Sequence, residues 1–183
     1  PTDAGVISDF VVNDEGDIFL TLGQCIYQYI NEEWICIPFP TTVAPKKLAI
    51  NSQNELWVTT NTYGLFHYDG ENWEHFLETT SGLNDNFVRQ LVIDREDNVW
   101  VVTGFEYDLN RFDGENWEMF SSSNSPFPGG TFVNIPYFDA NNEMWIPISN
   151  LGVYHFDGEN WEPSDSMAKL YWLDKSNQRN HAT

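Results

Sequence analysis

The chain has 183 residues, with 28 Asp and Glu against 8 Lys and Arg, a formal net charge of −20, and 41% hydrophobic and 16% aromatic residues. So many rings exclude a disordered chain, because they supply the burial that such chains lack. So negative a surface excludes nucleic acid and anionic membranes as partners, and leaves cationic partners, divalent ions and uncharged ligands such as sugars.

No run approaches the ~20 apolar residues that cross a bilayer, so no membrane insertion is expected. The chain opens PTDAGVISDF, without Met or a signal peptide, and reads as a mature or excised piece of something longer.

In chain order, a first unit spans residues 6–38, with DIFLTL around Phe19 and CIYQYINEEWICI around Trp34. Cys25 and Cys36 fall on facing strands of its hairpin but diagonally offset. That makes a disulfide geometrically marginal and reads them as small buried residues, with pairing left open. A second unit, 46–78, contains ELWVTT around Trp57 and HYDGENWEHF with Asp69, Gly70 and Trp73. A third, 87–121, contains NVWVVT around Trp100 and RFDGENWEMF with Asp113, Gly114 and Trp117. A fourth, 131–163, contains EMWIPI around Trp145 and HFDGENWEPS with Asp157, Gly158 and Trp161. Pro136 and Pro147 fall inside its presumed strands and predict local irregularity there, since each removes a ladder donor. Finally, SDSMAKLYWLD at 164–174 resembles NDNFVRQLVID at 84–94. This predicts an extra strand at 167–174, the first of a fifth unit, before KSNQRNHAT departs from REDNVWVVT.

The tryptophans of DGENWE are 44 residues apart at both steps, and a second ladder, Phe19, Trp57, Trp100, Trp145, runs in step with them. Two motifs sharing one period mark a structural repeat. Each copy holds four short runs rich in Val, Ile, Phe, Tyr and Trp, separated by Asp, Asn and Gly clusters, and no helical period persists. The expected fold is all-β: a β-propeller of four-stranded antiparallel blades, four of them recognisable, plus the first strand of a fifth. In DGEN, glycine supplies the positive φ of a hairpin turn, and the Trp that follows begins the outer strand and covers the seam to a neighbouring blade. An open arc exposes aromatic faces, so a homo-oligomer, or the remainder of a longer chain, is expected to complete the propeller.

SGLNDNFVRQLVIDREDNVWVVTG (81–104) followed by LNRFDGENWEMF (109–120) resembles the two-component regulator propeller repeat. Gly82-Leu83, Asp94, Trp100, Val101 and Thr103 match its pattern, with Asn84 where Pro is usual. Gly64-Leu65-Phe66-His67-Tyr68-Asp69-Gly70 and Gly152-Val153-Tyr154-His155-Phe156-Asp157-Gly158 match its Gly-Leu-x-Arg-Tyr-Asp-Gly element. The first copy departs, with Phe19 for Trp and no Asp-Gly turn. The resemblance implies a periplasmic or extracellular sensor region of the kind found in bacterial hybrid sensor kinases, which often bind glycans.

No G-x-S-x-G, H-E-x-x-H or phosphate loop is present, so no catalytic residues are assigned, and no metal or cofactor is expected. The acidic strings NDEGD (13–17) and DREDN (94–98) lack calcium-loop spacing and read as tight turns. His67, Arg111 and His155 recur at one strand-three position, where the first copy has Gln28. On alternation they leave the side of Phe66 and Tyr68, which makes them the candidate ligand contacts. The reading is a non-catalytic extracytoplasmic module that binds a glycan or protein. A self-assembling scaffold is the alternative, and a propeller lyase or glycoside-cleaving enzyme stands behind both.

Overall fold

The computed structural model describes residues 5–105, 108–121, 124–125 and 133–164. They form four antiparallel sheets, each of four strands in sequence order. The first holds Ile7–Val12 (β1), Ile18–Leu22 (β2), Cys25–Ile30 (β3) and Glu33–Pro38 (β4). The second holds Leu48–Ile50 (β5), Leu56–Thr59 (β6), Leu65–Tyr68 (β7) and Trp73–Phe76 (β8). The third holds Val88–Ile93 (β9), Val99–Thr103 (β10), Asp108–Phe112 (β11) and Trp117–Phe120 (β12). The fourth holds Tyr137–Phe138 (β13), Met144–Ile148 (β14), Gly152–Phe156 (β15) and Trp161–Pro163 (β16). The strand expected at 167–174 lies outside the described residues.

Because side chains alternate along a strand, each sheet has two apolar sides and stacks on the next. Phe19 and Ile26 meet Leu48, Leu56, Val58 and Phe66 between the first and second sheets. Trp57, Leu65 and Phe76 meet Val88, Leu91, Val99 and Val101 between the second and third. Trp100, Val102, Leu109 and Phe120 meet Met144, Ile146, Ile148 and Phe156 between the third and fourth. Each aliphatic side chain buried in this way contributes about 1.5–3 kcal/mol. Among the described residues no such cluster joins the fourth sheet to the first, and the outward side of β1 leaves Phe10 64% exposed.

The DGEN turns repeat closely. Asp69 Oδ1 accepts from the Glu71 and Asn72 N–H groups, Asp113 from Glu115 and Asn116, and Asp157 from Glu159 and Asn160. The glycine that follows sits at φ 100°, 97° and 101° in the three copies. The following Trp then pairs across the hairpin with Tyr68, Phe112 or Phe156, at ring separations of 4.8, 5.0 and 4.4 Å. It also meets, edge to face, a Phe at the end of the preceding sheet: Trp73 on Phe39, Trp117 on Phe76, Trp161 on Phe120. Gly82 lets the connection pass over Trp117, since a Cβ there would lie 2.6 Å from the Trp117 Cβ. The first copy closes its last hairpin with two residues, Asn31 and Glu32, both at positive φ, and so has no need of Asp-Gly.

One departure from the sequence reading stands out, at the two cysteines, whereas the irregularity expected beside Pro136 is present. Cys25 and Cys36 form a disulfide, with Cα atoms 5.7 Å apart, and they are half-buried and exposed rather than core residues. Cys25 lies opposite Pro38 and Cys36 opposite Tyr27. Sheet twist shortens one of the two diagonals between such positions, bringing the pair within disulfide reach. In the fourth sheet the inner strand is cut to two residues, immediately after Pro136.

The three DGEN aspartates are held below the ordinary 3.8, first by the backbone N–H of Asn72, Asn116 and Asn160 and then by that of Glu71, Glu115 and Glu159. A carboxylate with a lowered folded pKa contributes stability that is complete above the unfolded value and is lost as pH falls through the folded one. Resistance to urea is therefore expected to fall below about pH 4. Changing Asp69, Asp113 and Asp157 together to Asn should flatten that fall, because an amide oxygen still accepts the turn bonds but does not titrate. Equal acid sensitivity in the two proteins would refute this assignment.

Candidate functional site

Strand three of each sheet presents one polar residue directly opposite the strand-two ring. Gln28 faces Phe19, His67 faces Trp57, Arg111 faces Trp100 and His155 faces Trp145. His67 stacks on Trp57 with ring centres 4.4 Å apart, and His155 lies 4.5 Å from Trp145. The Arg111 guanidinium carbon sits 5.7 Å from the centre of the Trp100 ring. These are cation–π or ring-on-ring positions on the side of each sheet that turns toward the next.

Each of these three residues also meets a carboxylate. His67 Nε2 lies 3.1 Å from Glu55, and His155 Nε2 lies 2.7 Å from Glu143. Arg111 has no such partner on its own turn, where Asn98 replaces Glu, and its Nη2 reaches Glu118 on strand four at 3.1 Å. So the copies with Glu at the turn carry His, and the copy with Asn carries Arg. The structure does not gather the three candidates at one point but sets one between each pair of strand-two ring and carboxylate, sheet by sheet.

The turns between strands one and two support these positions. Asn13, Asn51, Asp94 and Asp139 each accept at Oδ1 from the backbone N–H groups two and four residues on. The free oxygen of the aspartates then takes the indole N–H of strand two: Trp100 to Asp94 at 2.9 Å and Trp145 to Asp139 at 3.2 Å. That indole bond leads the causes that lower the Asp139 pKa. Asn51 instead points its amide at Glu55, and the buried Trp57 indole N–H has no hydrogen-bond partner. The turns also bond to one another. Asn13 donates to Asn54, Ser52 N–H to Asp97, and Arg95 N–H to Asn142. Nothing in the hydrophobic pattern announced this ladder. The signal was the Asn or Asp recurring at turn position four.

A cavity of about 410 Å3 spans the inner turns of the first three sheets, lined by Asn13, Glu15, Ser52, Asn54, Asp94 and Asp97 among others, and two grooves open between neighbouring sheets at this end. One, of about 430 Å3 between the first and second sheets, is lined by Gln28, Ile35, Tyr68, Asn13, Asn54 and Asp17 among others. The other, of about 210 Å3 between the third and fourth, is lined by Arg111, Asn98, Asn142, Glu96 and Asp157 among others. Gln28 and Arg111 thus face a groove. His67 lines neither, and His155 lies on the outward side of the last described sheet.

Four-stranded antiparallel sheets, stacked side on side and joined in sequence order, define an all-β propeller. The family model described as Two component regulator propeller matches residues 82–105, which hold β9 and β10 of the third blade and the connection before them. No curated protein matches the sequence. Among solved structures, the chain is similar to the extracellular domain of a protein described as a hybrid two component system from B. thetaiotaomicron, with TM-score 0.66, 17% identity and coverage of 87% of this chain and 23% of that one. It is similar to virginiamycin B lyase from Staphylococcus aureus, with TM-score 0.69, 15% identity and coverage of 88% and 56%. It is also similar to YCF48 bound to a D1 peptide, with TM-score 0.68, 16% identity and coverage of 93% and 58%. The chain spans about a quarter of that extracellular domain and somewhat over half of the other two. No helix among the described residues is long and apolar enough to cross a membrane.

Proposed function

We propose that the chain is a non-catalytic recognition module of an extracytoplasmic propeller, and that it takes an uncharged glycan in the groove between the first two blades. The observation that carries this reading is the groove's lining. Gln28 offers an amide donor and acceptor for hydroxyl groups, and Asp17 and Glu15 offer carboxylate acceptors, beside the apolar surfaces of Ile35 and Tyr68. Its volume of about 430 Å3 falls in the range of small-molecule sites. A formal charge of −20 disfavours anionic ligands over neutral ones.

The strand-three position is the contact point in this reading: Gln28 in the first groove and Arg111 in the second, with His67 and His155 extending the same row. A non-catalytic role is supported by the pairing of the acids along that row, Glu55 with His67, Glu118 with Arg111 and Glu143 with His155. An extracytoplasmic setting is supported by the Cys25–Cys36 disulfide and by the extracellular domains among the similar structures.

Calorimetric titration of the full chain with a panel of neutral oligosaccharides tests the proposal. At least one should bind, and Gln28→Ala should weaken it by about tenfold, the equivalent of one hydrogen bond in a part-dry groove. A silent panel, or binding unaffected by Gln28→Ala, overturns the assignment. Cleavage products in the same samples would replace recognition by catalysis.

A further inference from the structure

Three of the blades set a carboxylate on the outer strand directly against the basic residue of strand three. Glu74 lies opposite His67, with Oε2 3.9 Å from Nδ1, Glu118 lies opposite Arg111 at 3.1 Å, and Glu162 lies opposite His155. The first blade departs from this pattern at both members of the pair. Ile35 stands opposite Gln28, and both line the first groove. A polar contact for a ligand, with an apolar wall beside it, takes the place of the charged pair.

The crosslink reappears at the next residue, as a covalent bond. Cys36 lies between Ile35 and Ile37, the two β4 residues that line the groove, and alternation puts its side chain on the other side of the strand. In the second and third blades that position holds His75, opposite Phe66, and Met119, opposite Asn110. The bond to Cys25 runs diagonally, since Cys36 is opposite Tyr27 and Cys25 opposite Pro38. It therefore holds β4 against sliding as well as against separation, directly behind the groove wall.

Otherwise β4 is lightly held. Ile37 is half-buried and its other residues are exposed. Beyond the strand, Phe39 is 7% exposed and packs on Phe66 and Trp73 in the seam to the second blade. Opening the bond frees the part of the strand beside the groove while its far end stays anchored, so the seam survives.

We propose that the Cys25–Cys36 bond is a redox-sensitive clamp on the first groove: the oxidised chain holds Gln28 and Ile35 in place for a neutral glycan, and reduction by a dithiol releases them. The clamp rests on the glycan reading of that groove. A thiolate of the dithiol attacks Sγ of the exposed Cys36, and Cys25 leaves as a thiolate and takes up a proton. The second thiolate of the dithiol then displaces Cys36 from the mixed disulfide. The chain gains two electrons and two protons, and the dithiol becomes a disulfide.

Calorimetric titration with the tightest-binding neutral oligosaccharide, before and after reduction with dithiothreitol, tests the clamp. The oxidised chain should bind about tenfold more tightly. In Gln28→Ala the same reduction should change affinity by less than about twofold, because the contact that the bond positions is already gone. By linkage, saturating oligosaccharide should shift the dithiol–disulfide equilibrium about tenfold toward the disulfide, or about 30 mV. A chain carrying Cys25→Ala and Cys36→Ala should bind like the reduced one, with its β10 amides still protected. Equal affinity of the oxidised and reduced chains overturns the clamp and leaves the glycan reading standing, whereas the absence of any binding oligosaccharide overturns both. An equal loss on reduction in Gln28→Ala would give the bond a general structural role and overturns the clamp as well.

Discussion

Trp100→Ala is expected to destabilise the protein by about 3–5 kcal/mol, the range for removing a large buried ring. Trp100 is 2% exposed, and its ring lies in the cluster that joins the third blade to the fourth, against Phe120 and Phe138. The substitution opens a cavity between two sheets that are themselves rigid, so collapse recovers little of the loss. It also leaves the buried Asp94 without the indole N–H at 2.9 Å. Trp100→Phe separates the two effects, because it keeps most of the packing and loses the hydrogen bond; it should cost about 1–2 kcal/mol. Met119→Ala on the exposed strand β12 should stay within about 0.5 kcal/mol. Urea unfolding followed by tryptophan fluorescence and circular dichroism reads all three, and a Trp100→Ala loss of about 1 kcal/mol or less would show that the third seam is not the core described here.

Opening the Cys25–Cys36 bond is expected to cost about 2–3 kcal/mol, from the chain entropy restored by releasing a loop of this length. The two cysteines are 11 residues apart and bridge β3 and β4, the outermost pair of the first blade. That blade has a neighbour on one side only among the described residues, so its outer hairpin depends on the crosslink more than any other hairpin does. Cys36 is exposed, which gives reductants access. On reduction, amides of β3 and β4 should lose protection while those of β10, held between two blades, keep theirs. A uniform loss through all four blades would mean that the blades unfold as one unit.

The period of DGENWE made most of the fold legible, because one turn and one ring recur wherever a blade ends. Its chemistry is local: an Asp that caps two N–H groups, a glycine at positive φ and a Trp opposite another ring. Features that join distant positions were less visible. The disulfide was obscured by a diagonal offset that only sheet twist resolves. The shortened β13 was signalled by Pro136, whereas Pro147 remains within β14, opposite Val153. The strand-three residues were visible as a recurring polar position, but their carboxylate partners were not, although Glu55–His67 and Glu143–His155 share a spacing of twelve. The inter-blade turn ladder left one trace in the sequence, an Asn or Asp at turn position four, which becomes meaningful only once neighbouring turns are known to touch.

Among the described residues these blades form an arc whose first face is open, rather than a ring closed on itself. Hydroxyl-radical footprinting of the full chain, read residue by residue by mass spectrometry, tests it directly. Phe10, 64% exposed on the outward side of β1, should be oxidised readily, while Trp57 and Trp100 inside the seams stay unmodified. Protection of Phe10 to the level of Trp100 would contradict the arc and place another blade against the first.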